Sequence, residues 1–254
     1  MDDFIGIFDS GIGGLTVYSK ILEVFKNENI VYLADTKNCP YGTKDINTVK
    51  EITLKNIEYL KNLGAKIIII ACNTATSSII DIIDNSNYYL LGVIQPTALY
   101  ALEHSSTKTI GLLATNLTVS TKVYEKYLVG ATVYSEGCSD FVMPIEKGLF
   151  HSKSMKKMIR DHLQKLGKVD TLILGCTHFP YIKEEIQEFL PEVKIIESGE
   201  ATALYLKKYF EINNFEVRTK HRKLVFLTTG DLEKCSKQIA MLNYQFDVIK
   251  EIKI

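Results

Sequence analysis

The sequence predicts an α/β fold in which one unit, a parallel sheet flanked by helices, is built twice. Three observations predict it. Strands of four to six apolar residues alternate with helix-length amphipathic stretches, the pattern of a parallel sheet covered on both faces. Two strands of similar composition, Ile5-Gly6-Ile7-Phe8-Asp9-Ser10 and Ile110-Gly111-Leu112-Leu113-Ala114-Thr115, begin 105 residues apart. Two cysteines end apolar runs 104 residues apart, in Ile67-Ile68-Ile69-Ile70-Ala71-Cys72-Asn73-Thr74 and Leu172-Ile173-Leu174-Gly175-Cys176-Thr177-His178. The matching offsets imply pseudo-symmetric halves, each delivering a thiol to a shared cleft.

The elements follow in order. Phe4–Phe8, Ile30–Ala34, Lys66–Ala71 and Leu91–Ile94 are short apolar runs without polar alternation, expected as buried parallel strands. Leu15–Phe25, Ile46–Leu63 and Ala75–Ile83 carry apolar residues at helical spacing and are expected as helices between them. The second half repeats the scheme with strands Thr109–Ala114, Ala131–Tyr134, Thr171–Leu174 and Lys194–Ile196. Helices are expected over Val119–Tyr127, Met155–Leu166 and Ile182–Phe189. Strand Leu224–Leu227, the amphipathic Leu232–Leu242 and a short strand Phe246–Ile249 are then left over, which implies that the chain returns to the first unit. Pro96 and Pro191 are read as landmarks near the domain edges, because proline disfavours helix just before it. The expected division is 1–94 with 208–254 as the domain carrying Cys72, and 95–207 as the domain carrying Cys176.

Composition excludes several classes. The 254 residues suffice for one or two domains on a prior of roughly 150 residues each. Thirty basic and thirty acidic residues leave no electrostatic footprint for nucleic acid or an anionic membrane. The longest basic run, Arg218-Thr219-Lys220-His221-Arg222-Lys223, is expected as a solvated loop. Met1-Asp2-Asp3 leads straight into a strand without the basic start of a secretory signal, and no apolar run approaches the ~20 residues of a membrane span. The five cysteines, at 39, 72, 138, 176 and 235, are odd in number and form no Cys-x-x-Cys pair, which argues against a disulfide framework or a thiolate zinc site. Reduced thiols in a cytoplasmic protein are the expectation.

Open parallel sheets bind ligands at the carboxyl ends of their strands, and Asp9, Ser10, Asp35, Cys72, Thr115 and Cys176 all fall there. A thiol acts as a base only as its thiolate, and an ordinary cysteine with pKa ~8.5 is mostly protonated at neutral pH. Both thiols are expected at a helix start, where free N–H groups and the helix dipole favour the anion. Asn73-Thr74 and Thr177-His178 add amide, hydroxyl and imidazole donors in the same turns. His178 can hold or move a proton for Cys176, and Asp9 can do so for Cys72 if their strands are neighbours. A lone strand-end cysteine is most often a core residue. A pair at matching positions, each followed by polar donors, suits a reaction that removes a proton from one face of a substrate and replaces it on the other. Cys39, Cys138 and Cys235 lack this symmetry and read as loop or packing residues, with Cys39 the one that could approach the cleft.

Asp9-Ser10-Gly11-Ile12-Gly13-Gly14, with Asp35 at the end of the next strand, imitates a dinucleotide site. The imitation fails: position 16 is Thr16 instead of the third glycine, the leading Asp9 would repel a pyrophosphate, and no Gly-Lys-Ser/Thr is present. A flexible backbone beside Asp9 and Ser10 suits a small zwitterion held by its ammonium and carboxylate.

These residues resemble the cofactor-independent glutamate racemases over essentially the whole chain. The resemblance is carried by Ile5–Val17, by Tyr32-Leu33-Ala34-Asp35-Thr36 with Pro40-Tyr41-Gly42, by Ala71-Cys72-Asn73-Thr74-Ala75, by Gly92-Val93-Ile94-Gln95-Pro96, and by Gly175-Cys176-Thr177-His178-Phe179-Pro180. It implies two pseudo-symmetric Rossmann-like (flavodoxin-like) domains with the active site between them, and neither pyridoxal phosphate nor metal. It also implies interconversion of L- and D-glutamate, which supplies D-glutamate for bacterial peptidoglycan, and a homodimer. By the same resemblance Cys72 takes the α-proton from D-glutamate and Cys176 takes it from L-glutamate, with Asp9 and His178 as their proton-handling partners. Asp9, Ser10, Tyr41, Gly42, Asn73, Thr74, Thr177 and His178 match the substrate-contact motifs. Glu146 is matched to the family's glutamate near the second thiol, although Pro144 stands one place late in its motif. Glu197 stands where Asp is usual, and Asn38-Cys39 replaces the residues common before Pro40. The rival expectations are an aspartate racemase using the same thiols, a cysteine hydrolase using Cys176 with His178, and a non-catalytic two-lobed amino-acid-binding protein.

Overall fold

The computed structural model describes residues 3–85, 89–216 and 221–254. Its strands are β1 (Phe4–Asp9), β2 (Asn29–Ala34), β3 (Ala65–Ile70), β4 (Leu90–Gly92), β5 (Thr109–Ala114), β6 (Thr132–Gly137), β7 (Thr171–Gly175), β8 (Lys194–Glu197), β9 (Leu224–Thr228) and β10 (Val248–Glu251). They form two sheets, in the orders β10-β9-β2-β1-β3-β4 and β6-β5-β7-β8, with every pairing parallel. The order β2-β1-β3-β4 in the first sheet is that of β6-β5-β7-β8 in the second. Phe8 pairs with Ile70 and Leu113 pairs with Leu174, so β1 and β3 correspond to β5 and β7. The repeated offsets in the sequence therefore reflect a repeated topology. β9 and β10 extend the first sheet beyond β2.

The reason for this arrangement is apolar area. Ile67, Ile68, Ile69 and Ile70 are fully buried, because both faces of β3 are covered and alternate side chains enter two separate clusters. Each buried side chain of this size contributes roughly 1.5–3 kcal/mol. Between β2 and β3, the helix Ile46–Asn62 starts where the Asp45 side chain accepts from Thr48 N at 2.9 Å. In each sheet the segments that follow the two central strands pack into clusters on opposite faces, the arrangement in which open parallel sheets bind ligands at their carboxyl ends.

Several elements differ from expectation. Helices Ile94–His104 and Ser198–Asn213 were not anticipated. Pro96 lies in the first turn of the former, where its missing N–H breaks no intrahelical bond, so it does not stop the helix. β4 consequently ends at Gly92, and Ile94 is helical. The helix Ser198–Asn213 packs against both Leu15–Val24 and Ile94–His104, so its first turns are buried on more than one side and carry no simple amphipathic period. Gly199 is required there, because a Cβ would stand 2.7 Å from Thr16 O. The helix expected over Ala75–Ile83 breaks at Ile79 into Asn73–Ser78 and Ile80–Asp84. The one expected over Val119–Tyr127 is divided at Lys122, whose φ of 53° separates Asn116–Thr121 from Val123–Tyr127. The last strand begins at Val248, and Phe246 instead stacks on Tyr18 with ring centroids 4.8 Å apart. Of the basic run, Arg218–Lys220 lie outside the described residues, as do Met1 and Asp2, while His221, Arg222 and Lys223 are exposed. Among the described residues no helix is long and apolar enough to cross a membrane.

Candidate active site

Each thiol stands just past a central strand. Ala71 N donates to Phe8 O at 2.8 Å, which carries the β1–β3 pairing one residue beyond β3 and fixes Cys72 beside the end of β1. Cys72 caps the helix Asn73–Ser78, its Sγ accepting from Ala75 N at 3.4 Å, and its thiol lies 3.7 Å from Ser10 Oγ. Cys176 directly follows β7 and is not at an α-helix start. Thr177 and His178 form a turn into a short 3-10 helix, Phe179–Ile182, and the α-helix Lys183–Phe189 begins only afterwards. Pro180 shapes this entry. The neighbour of Cys176 is therefore an imidazole: His178 Nδ1 lies 3.7 Å from its Sγ. Both cysteines are buried.

The acidic and imidazole groups form two sets. Asp9, at the end of β1, accepts from Gly11 N at 2.9 Å on one oxygen and from Thr177 Oγ1 at 3.1 Å on the other. Burial pushes its pKa up to about 6 against the opposing pull of His178. Burial likewise pushes the Cys72 thiol up to about 12, with the Asp9 carboxylate adding to it. Asp9 thus acts on Cys72 through space, while Ser10 makes the contact. In the second set, His178 Nε2 lies 2.6 Å from Glu146 Oε1. Burial alone would lower the His178 pKa, but the hydrogen bonds and charges of Cys176 and Glu146 outweigh it and hold it well above 6.5. Burial would raise the Glu146 pKa, and His178 more than reverses this.

The glycine loop lets the halves approach. A Cβ on Gly13 would stand 2.7 Å from the His178 ring and 2.8 Å from Thr177 Oγ1. Thr16 Oγ1 donates to Thr177 O at 3.1 Å. The motif that imitates a dinucleotide site is thus occupied by the turn that follows Cys176.

The remaining candidates surround this pair. Thr74, beside Cys72, shares a hydroxyl cluster with Thr115 and Thr118 at the end of β5, with Thr74–Thr115 and Thr115–Thr118 both at 2.9 Å. Gly42 packs against Thr115 so closely that a Cβ would come within 2.8 Å of its side chain. The Tyr41 hydroxyl donates to Asp35 at 2.6 Å, so this side chain is engaged in holding its own loop. Asn73 accepts from Tyr124 OH at 2.7 Å. Cys39 borders the site: a Cβ on Gly11 would lie 3.3 Å from its Sγ and 3.3 Å from Glu146 Oε1. Cys138 and Cys235 belong to apolar clusters. Sequence reasoning missed Tyr124, Thr118, Tyr32 and Gln238. Tyr32 OH donates to Gly11 O at 2.8 Å, and Gln238 Nε2 donates to Glu146 Oε2 at 3.2 Å. Only Thr118 carried a local signal, since Thr115 caps its helix by accepting from Thr118 N. Among the described residues no group of three or more His, Cys, Asp or Glu side chains is placed to hold a metal ion.

Residues 5–206 match the Asp/Glu/Hydantoin racemase family, and the chain belongs to that family. It is 41% identical over 209 residues to the glutamate racemase of Aquifex aeolicus (strain VF5), covering 81% of this chain and 82% of that protein. Among solved structures it is similar to glutamate racemase isoform RacE1 from Bacillus anthracis, with a TM-score of 0.92 at 31% identity, covering 99% of this chain and 97% of that one. The glutamate racemase of Francisella tularensis, solved in complex with D-glutamate, superposes with a TM-score of 0.90 at 30% identity over 99% of this chain and 98% of that one.

Proposed function

We propose that this protein is a glutamate racemase that interconverts L- and D-glutamate by proton transfer at Cα between two thiols, supplying D-glutamate for peptidoglycan. The observation that carries the reading is the equivalence of Cys72 after β3 and Cys176 after β7, on corresponding central strands of two sheets joined by the Thr177–Asp9 bond.

The α-hydrogen of an amino acid is very weakly acidic, so negative charge developing on the substrate carboxylate has to be met by fixed donors. Each such donor is typically worth about 3–4 kcal/mol. Ser10, Asn73, Thr74 and Thr177 supply them in this reading. Positioned acid and base add roughly 10²–10⁴-fold. With D-glutamate, the Cys72 thiolate takes the α-proton and the Cys176 thiol delivers one to the opposite face. With L-glutamate the roles reverse. A substrate ammonium beside Asp9 would offset the carboxylate that helps to hold the Cys72 thiol protonated. His178, held in its charged form by Glu146, lies 3.7 Å from Cys176 Sγ and in this reading holds or moves the proton of that thiol. Tyr41, Gly42 and Thr115 complete the substrate enclosure.

The domain division 1–94 with 208–254 and 95–207, a homodimer and a bacterial cytoplasmic location belong to the same reading. Leu99, Leu204 and Ile212 support the dimer, being exposed along one groove between the helices Ile94–His104 and Ser198–Asn213. A monomer mass by light scattering would remove it.

Turnover in D2O tests the main reading. Product from either enantiomer should carry deuterium at Cα while the remaining substrate stays protiated at early times. Cys72→Ser and Cys176→Ser should each abolish racemisation with the fold retained. Near wild-type rates in either variant would refute it.

A further inference from the structure

Asn73 is 2% exposed, and its Nδ2 has no hydrogen-bond partner, whereas its Oδ1 is taken by Tyr124 OH at 2.7 Å. Buried amide nitrogens are almost always paired, so this one is set aside for something that arrives. Asn73 is the first residue of the helix capped by Cys72 and therefore adjoins one thiol. Tyr124 comes from the other half. It sits among Ile94, Ala98, Ile110 and Leu128 of the second unit's apolar cluster, and the left-handed turn at Lys122 starts the short helix that carries it. Burial holds the Tyr124 hydroxyl protonated, outweighing the opposing hydrogen bonds of Ser198 and Thr97. The Tyr124 hydroxyl donates to Asn73 Oδ1, so the oxygen of the Asn73 amide faces Tyr124 and its NH2 faces away.

We propose that Tyr124 is a positioning residue for the substrate: it fixes the Asn73 side-chain amide in the orientation whose NH2 group donates to a carboxylate of bound glutamate. Without the hydroxyl the amide can rotate by half a turn and present its oxygen, which repels a carboxylate. The inference rests on the glutamate racemase reading above and goes beyond it by making one half of the molecule responsible for the binding geometry in the other.

A double-mutant cycle tests it. Tyr124→Phe and Asn73→Ala should each raise KM for both enantiomers roughly tenfold, the loss of about one charge-assisted hydrogen bond, with kcat changed by less than that. Because Tyr124 acts through Asn73, the double variant should be no worse than Asn73→Ala alone. A purely structural tyrosine would lower stability and leave KM unmoved, or would multiply with the Asn73 effect; either result overturns the proposal. Should Tyr124→Phe fail to fold, the wild-type protein still decides. The Asn73 side-chain amide signals, assigned by their loss in Asn73→Ala, should shift when D-glutamate is added, and unmoved signals overturn the proposal. Wild-type turnover of glutamate is measured first, so failure of the underlying reading is seen separately from failure of the cycle.

Discussion

Thr177 donates its hydroxyl to Asp9 at 3.1 Å, and this bond joins the end of β1 in one sheet to the turn after β7 in the other. The carboxylate it touches is fully buried, and that burial sets its titration.

Asp9 has a folded pKa of about 6 against 3.8 for the free group. An aspartate raised in this way binds its proton more tightly when folded. Its contribution favours the fold below pH 3.8 and is lost as the pH rises through 6. The full penalty above that is about 3 kcal/mol at 1.36 kcal/mol per unit. Asp9→Asn should therefore stabilise the protein at pH 8 by about 1–3 kcal/mol in urea denaturation, with the gain shrinking toward pH 4, while racemisation falls. A variant destabilised equally at both pH values would show that burial does not govern Asp9.

The same carboxylate helps to hold the Cys72 thiol near 12. Asp9→Asn should make Cys72 ionise more readily and so speed its alkylation by iodoacetamide at pH 8, read by peptide mass spectrometry. An unchanged or slower rate at Cys72 would contradict the coupling.

Glu146 and His178 hold each other's charged forms. The elevated His178 value contributes stability that is fully present below 6.5 and lost as the pH rises through the folded pKa. The depressed Glu146 value contributes above 4.5 and is lost as the pH falls through its folded pKa. Glu146→Gln should thus cost most between these limits, about 1–3 kcal/mol, and should lower the His178 titration midpoint followed by ¹⁵N NMR. A midpoint that stays in place would mean that Glu146 does not set the charge on His178.

Gly13 makes room for the Thr177–His178 turn. In Gly13→Ala, a Cβ within 2.7 Å of the imidazole has to move the turn. The expected result is destabilisation of about 1–3 kcal/mol and a fall in kcat on the order of 10²-fold, the cost of a small misplacement at a reacting group. Steady-state kinetics with wild-type-like kcat would show that the contact is soft.

The legible and illegible features divide by range. β1, β3, β5 and β7 were visible because a strand buried on both faces leaves a local mark, an unbroken apolar run, and the thiols were visible because each ends such a run. The helix Ser198–Asn213 left no clear mark, since packing on two neighbours removes the one-sided period that reveals a helix. Pro96 misled because the penalty of a proline depends on its place in the helix, which the residue alone does not declare. A helix start at Cys176 failed for a similar reason: the turn through Thr177 and His178 and the 3-10 helix after it postpone the α-helix to Lys183.

The amino-acid order by itself determined the repeated α/β unit, the strand-end cysteines and the polar residues beside them, since all of these follow from periodicities and neighbours a few positions apart. Only the tertiary structure decided which groups act together. Tyr124 reaches Asn73 from 51 residues away, Gln238 reaches Glu146 from 92, and Thr177 reaches Asp9 from 168. Such pairs are chosen by how two sheets pack against each other, and a hydrogen bond that closes across them has no counterpart in local sequence.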